Sequence, residues 1–476
     1  MDLDQQHASG TLHADLLVLG FGKGGKAVAK QLAAGGRRVV LVERSERMYG
    51  GTCPNVGCIP TKGLVHRSGK RRPDDVPQDY YERSVEAVQA IREMMRQGNL
   101  DALEALESAT VLTGTATFID PHTVAVETGD GRVEVSADTI LINTGAQPVI
   151  PDIPGLRDSR RAVLSTELIE STVLPERLVI VGGGYLGIEF AGIYNGFGSH
   201  VTLLEASPRI LRREDDNVAL AAEGILRDAG VEIVAGVRVT EIDDGVHGAT
   251  VRYLRDGVEA AVEADTILIA AGRAPATADL ALEAAGVRAT AAGAVEVDEH
   301  LRTSQPHIYA LGDVNGGEQH TYISLDDSRI VLDQLTGTGE RSLAARVAIP
   351  HTLFMTPPLA TVGLTERDAR AAGRPIKVAS ERVADIVAMP RAYAVEETRG
   401  LMKFVIDAET DEILGAALLS VDAQELINTV ALAMRHGITA SQLRDSIYTH
   451  PSSTEAFNEV LGTIVRDYSA LSSAAI

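Results

Sequence analysis

The 476-residue chain has two cysteines, Cys53 and Cys58, and four residues separate them in the stretch GGTCPNVGCIPTK. Thiols this close suit either disulfide exchange or metal ligation. A zinc site needs two further ligands, and the only histidine nearby is His66, so no metal site is expected. An inert buried pair fits poorly with such polar, glycine-bounded surroundings. Few residues break a helix between Pro60 and Val65. A helix beginning at the cysteines would lower a thiol pKa through its N-terminus, which suits thiol–disulfide exchange.

The elements around the pair come from an internal duplication. ADLLVLGFGKGGKAVAKQLAAGGRRVVLVER and RLVIVGGGYLGIEFAGIYNGFGSHVTLLEAS each read as strand, glycine turn, helix, strand. Each carries G-x-G-x-x-G directly after the first strand, as Gly20, Gly22, Gly25 and as Gly182, Gly184, Gly187. A glutamate follows the last glycine by 18 residues in both copies, Glu43 and Glu205. Such glycines permit a tight turn and close approach to a pyrophosphate, the helix N-terminus favours its charge, and the glutamate takes ribose hydroxyls. One fingerprint is weak evidence; two, each between a strand and a helix, predict two dinucleotide-binding folds. A further echo, ADTILINTG (Ala137 to Gly145) and ADTILIAAG (Ala264 to Gly272), predicts a buried strand and turn closing each copy. The redox pair follows the first fold, close to whatever cofactor that fold holds.

QDYYERSVEAVQAIREMMRQ predicts a long amphipathic helix, and GEQHTYISLDDSRIVLDQL a second helix after a loop. From about Ala348 the pattern changes. GLMKFVIDAETDEILGAALLS predicts a hairpin turning in DAETDE. DAQELINTVALAMRHG predicts a helix with Leu426, Ile427, Val430 and Met434 on one face. A separate α+β domain is therefore expected. The net charge of −22 disfavours nucleic acid and anionic membranes as partners. The first thirteen residues have no apolar core of a secretory signal, and apolar runs are strand-length. Together with the sparse cysteines this suggests a cytoplasmic enzyme.

GGTCPNVGCIPTK resembles the redox motif of the flavin-dependent pyridine nucleotide–disulfide oxidoreductases, the family of glutathione reductase, dihydrolipoamide dehydrogenase and mercuric reductase. GGGYLGIE is similar to the family's nicotinamide-binding turn, YALGDV (Tyr309 to Val314) to its second flavin motif, and THPSSTE to its C-terminal His-Pro-x-x-x-Glu signature. The resemblance covers nearly the whole chain. It implies an α/β fold with two Rossmann-like domains, for FAD and NAD(P), and a C-terminal α+β dimerisation domain. The divisions would be 1–150 (FAD, first part), 151–274 (NAD(P)), 275–347 (FAD, central part) and 348–476 (dimerisation). Gly20, Gly22, Gly25 and Glu43 would bind the ADP half of FAD, with Thr52, Lys62, Thr144, Gly145 and Asp313 lining the remainder. Gly184, Gly187 and Glu205 would bind the nicotinamide dinucleotide. Tyr185 would cover the flavin face, and Glu189 would pair with Lys62. The cysteines would form a catalytic disulfide, Cys58 facing the flavin and Cys53 meeting the substrate. His450, oriented by Glu455, would be the acid–base, acting across a homodimer with shared active sites. Pro54 departs from the branched aliphatic usual in the family. A non-catalytic nucleotide-binding redox sensor is the rival class, but it has no use for both the thiol pair and His450–Glu455.

Glu205 suits a free ribose 2′-hydroxyl and favours NADH, whereas Arg209, Arg212 and Arg213 follow closely enough to keep NADPH in play. The family resemblance implies three substrate classes. Mercuric reductases carry an extra C-terminal cysteine pair, and VRDYSALSSAAI has none. A dihydrolipoamide or other disulfide substrate fits the cysteine and histidine motifs. GFGKGGK, RMYGGTC, INTGAQ, TYISLDD and FMTPPLATVG resemble the bacterial reactive-chlorine-resistance branch, which reduces hypothiocyanous acid and is associated with Cu(II) reduction. The expectation is a small oxidant, hypothiocyanous acid, with lipoamide-type disulfides and Cu(II) or Hg(II) as alternatives.

Overall fold

The structure, a computed structural model, describes residues 11–463. Most of the thirteen-residue leader reading and the thiol-free segment Val465–Ile476 lie outside the described residues. Strand Leu12–Leu19 is the centre of the first sheet, parallel to Val39–Glu43 on one side and Gly131–Ile142 on the other. Ala109–Asp120 extends the sheet beyond Val39–Glu43, and Ile308–Ala310 extends it beyond Gly131–Ile142, both in parallel. Thr123–Thr128 joins Ala109–Asp120 to Gly131–Ile142 in antiparallel fashion. The central strands are unbroken apolar runs because both faces are covered. Helices Lys23–Ala34 and Thr321–Thr336 pack Val28, Leu32, Ile330 and Val331 on one face. Leu280, Leu282 and Val287 close the other.

The second half repeats this arrangement. Arg177–Val181 lies between His200–Glu205 and Thr266–Ile269, all parallel. The echoed sequences explain the match. Thr139–Ile142 pairs with Leu16–Leu19, and Thr266–Ile269 pairs with Leu178–Val181. Each echo is thus the strand beside the one that enters the glycine turn. An antiparallel three-stranded sheet, Val237–Asp244, Ala249–Arg255 and Val258–Ala264, is attached to this half.

The long helix spans Pro77–Glu104. With helices Cys58–Ser68 and Tyr185–Phe197 it forms one core containing Leu64, Tyr81, Val85, Tyr194 and Phe197. Tyr81 and Tyr194 share a hydroxyl hydrogen bond of 2.9 Å there. The cysteine helix is therefore docked against the first helix of the second dinucleotide fold. The C-terminal sheet is antiparallel, ordered Pro350–Leu353, Leu359–Gly363, Ile413–Leu419, Leu401–Asp407, Ile376–Arg382. Its hairpin turns between Asp407 and Ile413. Helix Ala423–Arg435 buries Leu426, Ile427 and Val430 against it, whereas Met434 is only partly buried.

Candidate active site

Gly50 and Gly51 adopt φ of +91° and +81°, a left-handed backbone that favours glycine. A Cβ on Gly51 would lie 2.9 Å from Gly22 Cα and 3.0 Å from the Phe21 carbonyl oxygen. The redox segment is thus seated directly on the first glycine turn. Lys26 fastens it from the opposite helix, donating to the Gly50 carbonyl at 2.9 Å. The helical reading holds in two pieces, Thr52–Asn55 and Cys58–Ser68, broken at Val56 and Gly57. Pro54 sits in the first of these, where first-turn amides have no intrahelical partner to lose. Asn55, fully buried, donates to the carbonyls of Tyr49 and Gly51 at 2.8 Å each and accepts from Arg96 Nε at 2.9 Å.

Cys53 and Cys58 are present as the dithiol. Cys58 opens its helix, and its Sγ is 3.6 Å from the Thr321 hydroxyl. The hydrogen bond from Cys53 stabilises a Cys58 thiolate; Thr321 and the Lys62 charge add to this against the opposing effect of burial, and its pKa falls to about 6. The same hydrogen bond, with burial, pushes Cys53 up. Of the two sulfurs, Cys58 carries the charge.

Lys62 and Glu189 meet at 2.8 Å, Lys62 Nζ lies 4.6 Å from the centre of the Phe354 ring, and the second Glu189 oxygen accepts the Phe354 amide at 3.0 Å. The buried Glu189 side chain thereby ties the cysteine helix to the C-terminal sheet. Tyr185 begins its helix and donates to Glu214 Oε1 at 3.0 Å, and burial raises the pKa of Glu214.

The two glutamates perform one task in both halves. Glu43 accepts from the amides of Phe21 (3.0 Å) and Ser45 (3.2 Å); Glu205 accepts from those of Gly183 and Ser207 (2.6 Å each). Each carboxylate is aimed by its own turn. A Cβ on Gly20 or Gly182 would fall 2.5 or 2.3 Å from the carbonyl oxygen of Asn143 or Ala270, equivalent positions of the echo. Gly184 differs: an added Cβ meets nothing within 4 Å, so its backbone is open to a ligand. It lines a cavity of about 1280 Å³ with Tyr185, Glu205, Arg212, Arg213 and His320. Arg209 is engaged by Asp216 and by the Glu214 carbonyl, while Arg212 and Arg213 are exposed.

Thr144 donates to the Ala276 carbonyl at 2.8 Å, Gly145 has φ +73°, and Thr52 is exposed. Burial raises the pKa of Asp313, with the Arg273 charge opposing. His450 Nδ1 is 3.0 Å from Glu455 Oε1, and Glu455 Oε2 accepts the Ser452 amide at 2.9 Å. The His450 side chain is 72% exposed and stands at the C-terminal domain surface.

Asn143, Thr321 and Arg96 belong to this architecture and escape the sequence reading. Asn143 accepts from Gly25 N at 2.8 Å and donates to the Leu311 carbonyl at 2.6 Å. Its signal was available: Asn143 is one of the two positions where the first echo departs from the second, which has Ala270 there.

A dithiol beside two matched dinucleotide turns, with a lysine–glutamate pair between them, defines a two-nucleotide thiol oxidoreductase. The family model "Pyridine nucleotide-disulphide oxidoreductase" matches residues 14–328, and that family's dimerisation domain matches 349–461. The chain belongs to this family. It is 44% identical to the probable pyridine nucleotide-disulfide oxidoreductase RclA of Escherichia coli K12, over 94% of this chain and 98% of that one. It is 34% identical to the dihydrolipoyl dehydrogenase of Mycobacterium tuberculosis H37Rv, over 95% of this chain and 98% of the relative. Among solved structures, the Cu(II) complex of the HOCl-induced flavoprotein disulfide reductase RclA from Escherichia coli superposes with a TM-score of 0.89 at 42% identity, covering 95% and 99% of the two chains. The protein is an FAD-dependent oxidoreductase that uses a pyridine nucleotide and acts on sulfur groups. Its dimerisation domain supports a homodimer. No described helix is long and apolar enough to cross a membrane. The residues fit both cofactors: the first turn offers a backbone cradle beside Glu43 and half-buried Asp313, the second an open one at Gly184 beside Glu205.

Proposed function

We propose that this protein is a cytoplasmic NADH-dependent reductase of a small electrophilic sulfur oxidant, hypothiocyanous acid. The observation that carries the reading is the dithiol seated on the first glycine turn, with the charge on Cys58 and Lys62–Glu189 alongside. FAD, held by Gly20, Gly22, Gly25, Glu43, Thr52, Lys62, Thr144, Gly145 and Asp313, supplies two-electron transfer between coenzyme and dithiol. Gly184, Gly187 and Glu205 would hold the coenzyme, and Tyr185 would cover the flavin face. Glu205 at the strand end favours an unphosphorylated ribose, and the engagement of Arg209 by Asp216 removes one of three candidate phosphate ligands.

Cys53 attacks the sulfur of HOSCN, forming a Cys53–S–SCN bond as the S–O bond breaks. His450 of the other subunit, oriented by Glu455, takes the Cys53 proton and delivers it to the departing oxygen, which leaves as water. Cys58 then attacks Cys53 Sγ, thiocyanate departs, and the Cys53–Cys58 disulfide closes. One oxidant, one thiol and one thiolate become one disulfide, thiocyanate and water. The relationship to RclA, whose solved form is described as HOCl-induced, supports a small oxidant. The similarity to dihydrolipoyl dehydrogenase supports lipoamide as the competing substrate. A kinetic panel of HOSCN, lipoamide, glutathione disulfide, Cu(II) and Hg(II), run with NADH and NADPH, decides between them. Efficient HOSCN turnover with higher kcat/KM for NADH is expected. Lipoamide turnover with negligible HOSCN activity overturns the substrate. Undiminished HOSCN turnover by Cys53→Ser overturns the thiol mechanism.

A further inference from the structure

The chain is sparing with lysine. Of its seven lysines, three stand on one helix, Lys23–Ala34, at positions 23, 26 and 30. That spacing sets Lys23, Lys26 and Lys30 along a single stripe of the helix. Lys62, Lys377 and Lys403 each pair with a carboxylate, whereas among the described residues the three lysines of the stripe pair with none. Lys26 is the member that reaches the redox segment. Its half-buried ammonium donates to the Gly50 carbonyl at 2.9 Å and to Asn99 Oδ1 at 2.6 Å. Both acceptors are neutral, and they use two of the three ammonium protons. Burial and the neighbouring Lys23 charge lower the pKa of Lys26 to about 8, and the charge opposing them is that of Cys53. Lys26 therefore stays a cation at neutral pH. The Cys58 hydrogen bond and burial push Cys53 up, and Lys26 is among the groups that oppose them.

We propose that Lys26 is the counter-ion for negative charge at Cys53, which makes the thiol site one for small anionic reactants and small anionic leaving groups. The inference rests on the reading of Cys53 as the thiol that meets the oxidant. Desolvating a cation without giving it an anion costs stability. Here the chemistry at the adjoining thiol supplies the anion. Negative charge appears on Cys53 Sγ when its thiolate attacks. It appears again beside that sulfur when Cys58 displaces thiocyanate and the electron pair of the S–SCN bond departs with it. A fixed cation favours both charged states over the neutral ones. The protein as a whole carries −22 and repels anions at long range, so a local cation is what restores their concentration at the thiol. Lys23, half-buried, and Lys30, exposed, continue the positive stripe on either side.

The test uses the FAD-loaded dimer carrying Cys58→Ser, in which Cys53 is the one thiol left in each chain. At neutral pH and low salt its thiolate is alkylated in parallel by iodoacetate, an anion, and by iodoacetamide, a neutral analogue; each loses iodide as the thioether forms. Accessibility and thiolate fraction act on both reagents alike and cancel in the ratio of their rates. Charge near the sulfur does not cancel. Lys26→Gln keeps a donor for Gly50 but loses the charge, and is expected to lower the iodoacetate-to-iodoacetamide ratio about five-fold, the effect of one charge a few ångströms away in water-like surroundings. Lys26→Arg is expected to keep the ratio. Added salt should lower it in the parent and scarcely in Lys26→Gln. Should Lys26→Gln fail to fold, Lys26→Met carries the same measurement. A ratio unchanged by loss of the charge, with both rates altered alike, makes Lys26 a clamp on Gly50 and overturns the proposal. Failure of Cys53 to react with either reagent overturns its reading as the exchanging thiol, and the proposal with it. The ratio is read without any oxidant, so it stands apart from whether HOSCN is the substrate.

Discussion

At the scale of single residues the controlling asymmetry is between the two sulfurs. Cys53 donates and Cys58 accepts, so the first proton is lost from Cys58, near pH 6 rather than in the ordinary thiol range. In the reduced protein, ultraviolet thiolate absorbance is expected to rise as pH increases through about 6. Cys53→Ala removes the principal donor, and the Cys58 transition should then move upward toward the usual thiol value. A transition unmoved by that substitution would mean that the hydrogen bond does not set the charge. In the proposed mechanism the asymmetry also gives His450 its part. Cys53, pushed up within its own chain, would need an external base before it could attack.

At the scale of elements the duplicated glycine turn assigns distinct duties to its glycines. A Cβ on Gly187 would sit 1.9 Å from the Gly182 carbonyl oxygen, whereas one on Gly184 meets only open space. Gly187→Ala is therefore expected to destabilise the nicotinamide fold by about 1–3 kcal/mol, an overpacking cost. Gly184→Ala should leave denaturant stability nearly unchanged and raise KM for the coenzyme. Equal loss of stability in both variants would contradict this division. A second element-level device joins the nicotinamide fold to the C-terminal sheet. Lys403, whose side chain is 4% exposed, lies 2.9 Å from Asp215 and 2.8 Å from Glu366. Lys403→Met leaves Asp215 without its cation and Glu366 with Arg370 alone, and should cost about 3–5 kcal/mol by denaturant unfolding. Burial opposes ionisation of Asp215 and Glu366, yet Lys403 and neighbouring donors hold both pKa values low. Their contribution is full above the ordinary carboxylate pKa of about 4 and fades as pH falls through the lowered values. The Lys403→Met deficit should shrink accordingly in acid; a deficit independent of pH would refute the ionic account.

At the scale of the molecule the open question is where His450 acts. Its ring is fixed by Glu455, faces solvent in a single chain, and belongs to the domain that supports dimer formation. Mixing Cys53→Ser chains with His450→Ala chains tests action across the interface. Heterodimers should regain one working site of two, about half the activity per dimer. No recovery despite demonstrated subunit exchange would place His450 on its own chain's dithiol. The large acidic net charge is no obstacle to assembly, since a stable dimer of this kind relies on extended apolar burial.

Strands, glycine turns and the redox segment were legible in the sequence because they are local. Alternation, unbroken apolar runs and glycine spacing constrain backbone within a few residues of themselves. The duplication added the pairing of each echo strand with the strand entering its turn. Local pattern does not say which surfaces of distant elements meet. The Lys62–Glu189 pair spans 127 residues, and the contact of Thr321 with Cys58 spans 263. The family motif anticipates the first of these; only tertiary packing decides the second. The same holds for Asn55 with Arg96, for Glu214 with Tyr185, and for Lys26 with Asn99, whose side-chain types are ordinary until burial and distance join them. Residue type and spacing determined the chemistry available to this protein; the packing of the cysteine helix against both dinucleotide folds decided which groups hold its charges, because desolvation and hydrogen bonding act through space and not along the chain.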